Sequence, residues 1–126
     1  MIVGIGIDAI DIDRIKRMYD DKGQRMLDRL FLPNELAYLS TKLEPAQHLA
    51  VRLAAKEAAY KALSGTDHAR GIGWRDVEVV TLDDGSPVLR FHGRAAERLA
   101  ELGAAGVSVS LTHSASTAVA VVVIER

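Results

Sequence analysis

Three side chains stand out for the chemistry they could do together: Asp8, Glu57 and Lys61. Asp8 closes the run Gly4-Ile-Gly6-Ile-Asp8, in which the carboxylate falls in phase with both glycines. The strand face leading to it is bare, so something bulky can approach the backbone there. Glu57 and Lys61 stand four apart in Lys56-Glu57-Ala58-Ala59-Tyr60-Lys61, neighbours on a helical wheel. Each has an ordinary reading: Asp8 as a helix cap, the pair as a solvated helix contact worth about 0.3 to 0.5 kcal/mol. The surrounding alanines argue instead for a packed site, where a glutamate needs a metal or a proton to handle and a lysine needs an anion. Magnesium takes one or two carboxylates and completes its shell with water and substrate phosphates. Asp8 and Glu57 supply that minimal set, and Lys61 is left to carry a phosphate.

A second candidate is the turn Thr112-His113-Ser114-Ala115-Ser116. With Ser110 it gathers hydroxyls and an imidazole suited to a ribose, adenine or phosphate, although a lone histidine in a polar turn is the plainer reading. No pair among the four histidines has zinc-ligand spacing, and no third residue completes a Ser-His-Asp order. Two decoys fail. Gly4-Ile-Gly6-Ile-Asp8-Ala9 matches the loose dinucleotide fingerprint, but Asp8 would repel a pyrophosphate unless a cation intervened, and no βαβ unit follows. Asp8, Asp11 and Asp13 crowd like a calcium loop that lacks its central glycine and closing glutamate. Arg14, Lys16, Arg17, Lys22, Arg25 and Arg29 make a basic surface broken by Asp13, Asp20, Asp21 and Asp28. It is either a solvated face or a dock for an acidic protein, with Met18 as an apolar contact.

The elements that must position these groups follow from periodicity and punctuation. Residues 2–7 read as a strand with Val3, Ile5 and Ile7 on one face. Asp11 caps a helix over 12–20 with Ile12, Ile15 and Tyr19 inward, and Gly23 follows it. Pro33 starts a short helix over 34–42. Pro45 opens the longest helix, 46–63, closed by Ser64-Gly65. Its alanines carry apolar surface most of the way round, with Leu49, Leu53, Tyr60 and Leu63 on one side. It should be largely buried, which makes Arg52, Lys56, Glu57 and Lys61 expensive unless paired. A hairpin over 76–81 and 88–91, a helix over 93–102 and two strands over 107–111 and 117–124 complete the order. The last strand is apolar on both faces and therefore central or at a subunit interface. This order predicts an α+β fold with a mostly antiparallel sheet.

Composition narrows the field. With 126 residues, 48% hydrophobic and 26% charged, the chain is one domain, residues 1–126. The absence of cysteine excludes disulfides, thiolate metal sites and a thiol nucleophile. A net charge of -1 gives no global attraction to nucleic acid or an anionic membrane. The first residues lack a basic region and meet a carboxylate early, so neither a signal peptide nor a span is expected, and the expected address is the cytoplasm.

Together the blocks Gly4-Ile-Gly6-Ile-Asp8-Ala9-Ile10-Asp11-Ile12-Asp13-Arg14-Ile15, Phe31-Leu32-Pro33-Asn34-Glu35-Leu36, Arg52-Leu53-Ala54-Ala55-Lys56-Glu57-Ala58-Ala59-Tyr60-Lys61-Ala62-Leu63 and Val107-Ser108-Val109-Ser110-Leu111-Thr112-His113 resemble the phosphopantetheinyl transferase superfamily, in its short single-domain type. The resemblance spans the chain. It implies a phosphopantetheinyl transferase-like fold and Mg²⁺-dependent transfer of 4′-phosphopantetheine from coenzyme A to a serine of acyl carrier protein, leaving adenosine 3′,5′-bisphosphate. Asp8 and Glu57 match the family's magnesium carboxylates, Lys61 its phosphate-contacting lysine, and Thr112 and His113 the turn at the adenine and 3′-phosphate end of coenzyme A. Arg14, Arg17 and Met18 fall on the helix presented to the carrier protein. Glu57, alone or through a water held by the metal, is implied as the base for the serine. A homotrimer with sites between subunits is also implied. Ala9, Asp11 and the polar stretch 64–70 depart from the family pattern. A non-catalytic coenzyme A or nucleotide-binding module and a trimeric interaction protein are the competing readings; the first needs no metal, and both survive loss of Glu57.

Overall fold

The computed structural model describes residues 1–63 and 70–126. Strand β1 (Ile2–Asp11) leads into α1 (Ile12–Lys22), α2 (Gln24–Leu30), α3 (Pro33–Ser40) and α4 (Pro45–Ala62). A 3-10 turn (Trp74–Asp76) precedes the hairpin β2 (Val77–Thr81) and β3 (Pro87–Phe91), followed by α5 (Gly93–Glu101), β4 (Gly106–His113) and β5 (Thr117–Glu125). All pairings are antiparallel, in a three-stranded sheet ordered β1-β5-β4 and a separate two-stranded β2-β3 sheet. The α+β architecture and the central position of β5 match the sequence reading.

One face of the larger sheet packs on α4 and carries Ala118, Ala120, Val122 and Ile124, all fully buried. The two glycines of β1 explain how closely. A Cβ on Gly4 would lie 2.1 Å from the Ala62 carbonyl oxygen, and one on Gly6 1.9 Å from that of Ala58. The bare strand face is thus filled by the helix backbone rather than left for a ligand. The opposite face is apolar yet uncovered, with Ile5 and Ile7 63% and 62% exposed beside half-buried Val119, Val121 and Val123. A second core lies under α1 to α4, around Ile15, Phe31, Leu39 and Leu49.

Several boundaries differ from the sequence reading for identifiable reasons. β1 runs past residue 7 because its register continues through Asp8↔Ala120 to Asp11↔Thr117, so Asp8 is inside an edge strand. Asp11 caps α1 as expected, its carboxylate accepting from the Asp13 N–H at 3.1 Å. α2 has no counterpart in the sequence reading: its buried face is only Met26 and Leu30, too brief to register as a period, and Gly23 at φ 57° ends α1 and starts it at once. Tyr60, grouped on one side of the helix with Leu49, Leu53 and Leu63, is exposed while those three are buried. The Ser64-Gly65 stop lies outside the described residues.

α4 is buried along most of its length, as its alanines require, but its charges divide. Lys56 is 2% exposed and Arg52 6%, whereas Glu57 is half-buried and Lys61 exposed. The Lys56 ammonium donates to Glu35 Oε1 at 2.9 Å and to the carbonyls of Trp74, at 3.1 Å, and Val77. Glu35 in turn accepts the N–H groups of Leu32 at 2.9 Å and Val79 at 3.0 Å. Burial holds the Lys56 ammonium below its ordinary pKa, with Glu35 opposing. This satisfied buried pair ties α3, α4 and β2 together.

Candidate active site

Asp8, Glu57 and Lys61 come together where α4 passes the edge strand β1. The 1.5 Å rise per helical residue sets Glu57 and Lys61 one turn apart on the same flank. Lys61 Nζ donates to Asp8 Oδ1 at 3.0 Å and to the Ile7 carbonyl at 3.0 Å. Its side chain is 52% exposed against 17% for Asp8, so the ammonium keeps a third N–H toward solvent. Partial burial raises the Glu57 pKa above the ordinary glutamate value; the nearby Asp8 charge adds to this and Lys61 opposes it. Two carboxylates close enough to repel, beside a cation, fit a hard divalent ion whose shell substrate phosphates complete. Among the described residues, no group of three or more His, Asp or Glu side chains is arranged to hold a metal without such help.

The other expected contacts do not sit with these three. His113, the last residue of β4, pairs with Ala118, which on its other side pairs with Ile10. Strand spacing puts it roughly 12 Å from Asp8. Thr112 is exposed and faces the opposite side of the sheet from His113. Arg14 and Arg17 are exposed on α1, and Met18 is half-buried in a groove with Arg25 and Arg29 of the α2 region.

His113 does have company that sequence reasoning missed. Its charge bears on His48, whose pKa is lowered by burial first and then by Arg52, Lys42 and His113. The Arg52 guanidinium lies 4.0 Å above the Tyr38 ring and Lys42 Nζ 4.7 Å from it, while Tyr38 and His48 meet edge to face. Arg52 is fixed by hydrogen bonds to Thr81 Oγ1 at 2.8 Å and the His48 carbonyl at 3.3 Å. This crowd of nitrogen donors suits a phosphate. The available signal was the i,i+4 spacing of His48 and Arg52 on α4 together with a buried arginine that needed a partner. Arg52 and Glu57 are five residues apart, about 140° around α4. The cationic crowd and the carboxylate pair therefore occupy different flanks of the helix.

Residues 4–122 match the 4′-phosphopantetheinyl transferase superfamily. The chain belongs to this family. It is 45% identical over 126 residues to the holo-[acyl-carrier-protein] synthase of Maridesulfovibrio salexigens, with 100% of both chains covered. The crystal structure of holo-[acyl-carrier-protein] synthase from Neisseria meningitidis superposes with a TM-score of 0.88 at 31% identity, covering 100% of both chains. The Bacillus anthracis synthase in complex with CoA (3′,5′-ADP) gives a TM-score of 0.79 at 34% identity, over 98% of this chain and 96% of that one. The superfamily thus accounts for the whole described fold and not for the Asp8 and Lys61 motifs alone.

Proposed function

We infer that this chain is a holo-acyl-carrier-protein synthase, moving 4′-phosphopantetheine from coenzyme A onto a serine hydroxyl of apo acyl carrier protein and releasing adenosine 3′,5′-bisphosphate. The observation that carries the reading is the convergence of Asp8, Glu57 and Lys61 in a chain that matches such synthases from end to end. Magnesium is the cofactor this donor set fits, with Asp8 and Glu57 as its protein ligands. Bound there, it would neutralise pyrophosphate charge and act as a Lewis acid.

The chain's own groups do the rest. The exposed ammonium of Lys61 is free to turn from Asp8 to the pyrophosphate and offset charge growing on the leaving oxygen. The carrier serine oxygen attacks the pantetheine-side phosphorus in line; the new P–O bond forms as the bond to the adenosine bisphosphate oxygen breaks. Glu57 accepts the serine proton. The Lys42, His48, Arg52 and His113 crowd would take the phosphate at the adenosine end of coenzyme A, while Thr112, on the other face of β4, stands apart from that crowd.

Because these two halves lie on different flanks of α4, one coenzyme A bridges them when the carboxylates come from one subunit and the cations from its neighbour. The uncovered face with Ile5, Ile7 and the β5 valines is the surface on which copies would meet, in a trimer. The carrier protein would approach the basic groove near Arg14, Arg17 and Met18. Among the described residues no helix is long and apolar enough to cross a membrane, and a cytoplasmic location is in keeping with a carrier-modifying enzyme of fatty acid synthesis.

The decisive experiment incubates the protein with coenzyme A, magnesium and apo carrier, then weighs the carrier. A phosphopantetheine increment that disappears with Glu57→Gln or a chelator supports the reading. No increment, on a carrier that another transferase modifies, overturns it. Mixing inactive Glu57→Gln and Arg52→Ala chains tests the shared site, because mixed trimers regain turnover only if each site draws on two subunits.

A further inference from the structure

We propose that Trp74 is a contact residue for the carrier protein, an aromatic anchor at the boundary between the docking groove and the transfer site; this rests on the transferase reading above. Two cavities share this residue. One, of about 240 Å³, holds Glu57 and is walled by Tyr60, Ile72, Gly73 and Trp74. The other is a groove across α1 and α2 formed by Met18, Lys22, Arg25, Met26, Arg29 and Trp74, with Asp21 as its one acidic side chain. Three cations and two methionines suit an acidic protein surface that also offers apolar side chains, and a carrier seated there must deliver its serine past Trp74 to reach Glu57.

The backbone at Trp74 is held more firmly than an exposed turn requires. Its carbonyl accepts from the buried Lys56 ammonium at 3.1 Å, one residue before Glu57. The turn itself is closed by Asp76 N–H to the Gly73 carbonyl at 3.1 Å and Gly73 N–H to Asp76 Oδ2 at 2.9 Å. The residue nevertheless remains 36% exposed. A fixed backbone presenting a large aromatic surface is the pattern of an interface hot spot, because little entropy is lost on contact. Burying Lys56 is costly and the transfer chemistry does not use its ammonium; besides Glu35 and the Val77 carbonyl, what it holds, from the position next to Glu57, is the Trp74 backbone.

Titrating apo carrier protein by calorimetry into wild type, Trp74→Phe and Trp74→Ala tests this, with coenzyme A titrated in parallel and folding confirmed by thermal melts. Trp74→Ala should weaken carrier affinity about tenfold or more and raise the carrier KM in step, Trp74→Phe should recover most of the loss, and coenzyme A affinity should stay within about twofold. Trp74→Gln gives the same comparison if the alanine variant does not fold. Unchanged carrier affinity, or carrier and coenzyme A affinities falling together, would overturn the proposal. Failure of the wild type to modify carrier would instead overturn the transferase reading, so the two failures are separable.

Discussion

Replacing Gly6 with alanine should damage catalysis from a distance. The new methyl would start 1.9 Å from the Ala58 carbonyl oxygen and 2.8 Å from the Ala62 nitrogen, both backbone atoms of α4 that cannot swing aside. Moving the oxygen contact from 1.9 Å to a tolerable 3.0 Å takes a retreat of about 1.1 Å between strand and helix. Asp8 is two residues along that strand, and Glu57 and Lys61 flank the helix segment that must move. A misplacement of about 1 Å costs about a hundredfold in rate, and the overpacking itself about 1 to 3 kcal/mol of stability. Turnover by carrier mass and stability by urea unfolding read the two effects separately. Gly4→Ala is the internal control: its methyl would start 2.1 Å from the Ala62 oxygen, so it should destabilise comparably but cost less rate, being farther from Asp8. Wild-type stability in Gly6→Ala, or a rate loss no greater than that of Gly4→Ala, would refute the idea that this close approach sets the distance between the carboxylates.

Lys56→Met should cost about 3 to 5 kcal/mol in urea unfolding, because it strands the Glu35 carboxylate in the core, and Lys56→Met with Glu35→Gln should regain part of that. Lys61→Ala should behave oppositely, lowering kcat about a hundredfold or more while unfolding within about 1 kcal/mol of wild type, since its ion pair with Asp8 is half in solvent. An NMR titration should place the His48 pKa below the ordinary histidine value of 6.5, and Arg52→Gln should raise it. The folded state then binds fewer protons at His48 than the unfolded one, so stability should fall as pH drops through 6.5 toward the folded value, and His48→Gln should flatten that slope.

What the sequence made readable were features with local signatures. Gly4, Gly6 and Asp8 declared a strand with a bare face, the alanines of α4 declared a buried helix, and doubly apolar β5 declared a strand either central or at a subunit interface. The identity of the bare face's occupant was not local: only the packed structure shows α4 lying where a ligand might have been expected. α2 escaped because two buried residues in seven make no readable period, and its start depends on a single glycine dihedral. The trio of Asp8, Glu57 and Lys61 was legible because two of its members share a helix turn and the third follows a distinctive run. The grouping of Lys42, His48, Arg52 and His113 draws on separate stretches of chain, and Tyr38 is the platform that joins the first three. The i,i+4 spacing of His48 and Arg52 was the one local trace of such an arrangement.

β5 lies between β1 and β4 yet follows both along the chain. During synthesis neither earlier strand can find its hydrogen-bonding partner until β5 has left the ribosome, and Gly6 must wait for Val122. Closing such distant pairs is slow for a small protein. A nascent chain therefore holds its helices ready around an absent keystone, and the acidic pair takes up its working geometry only when that strand slots in.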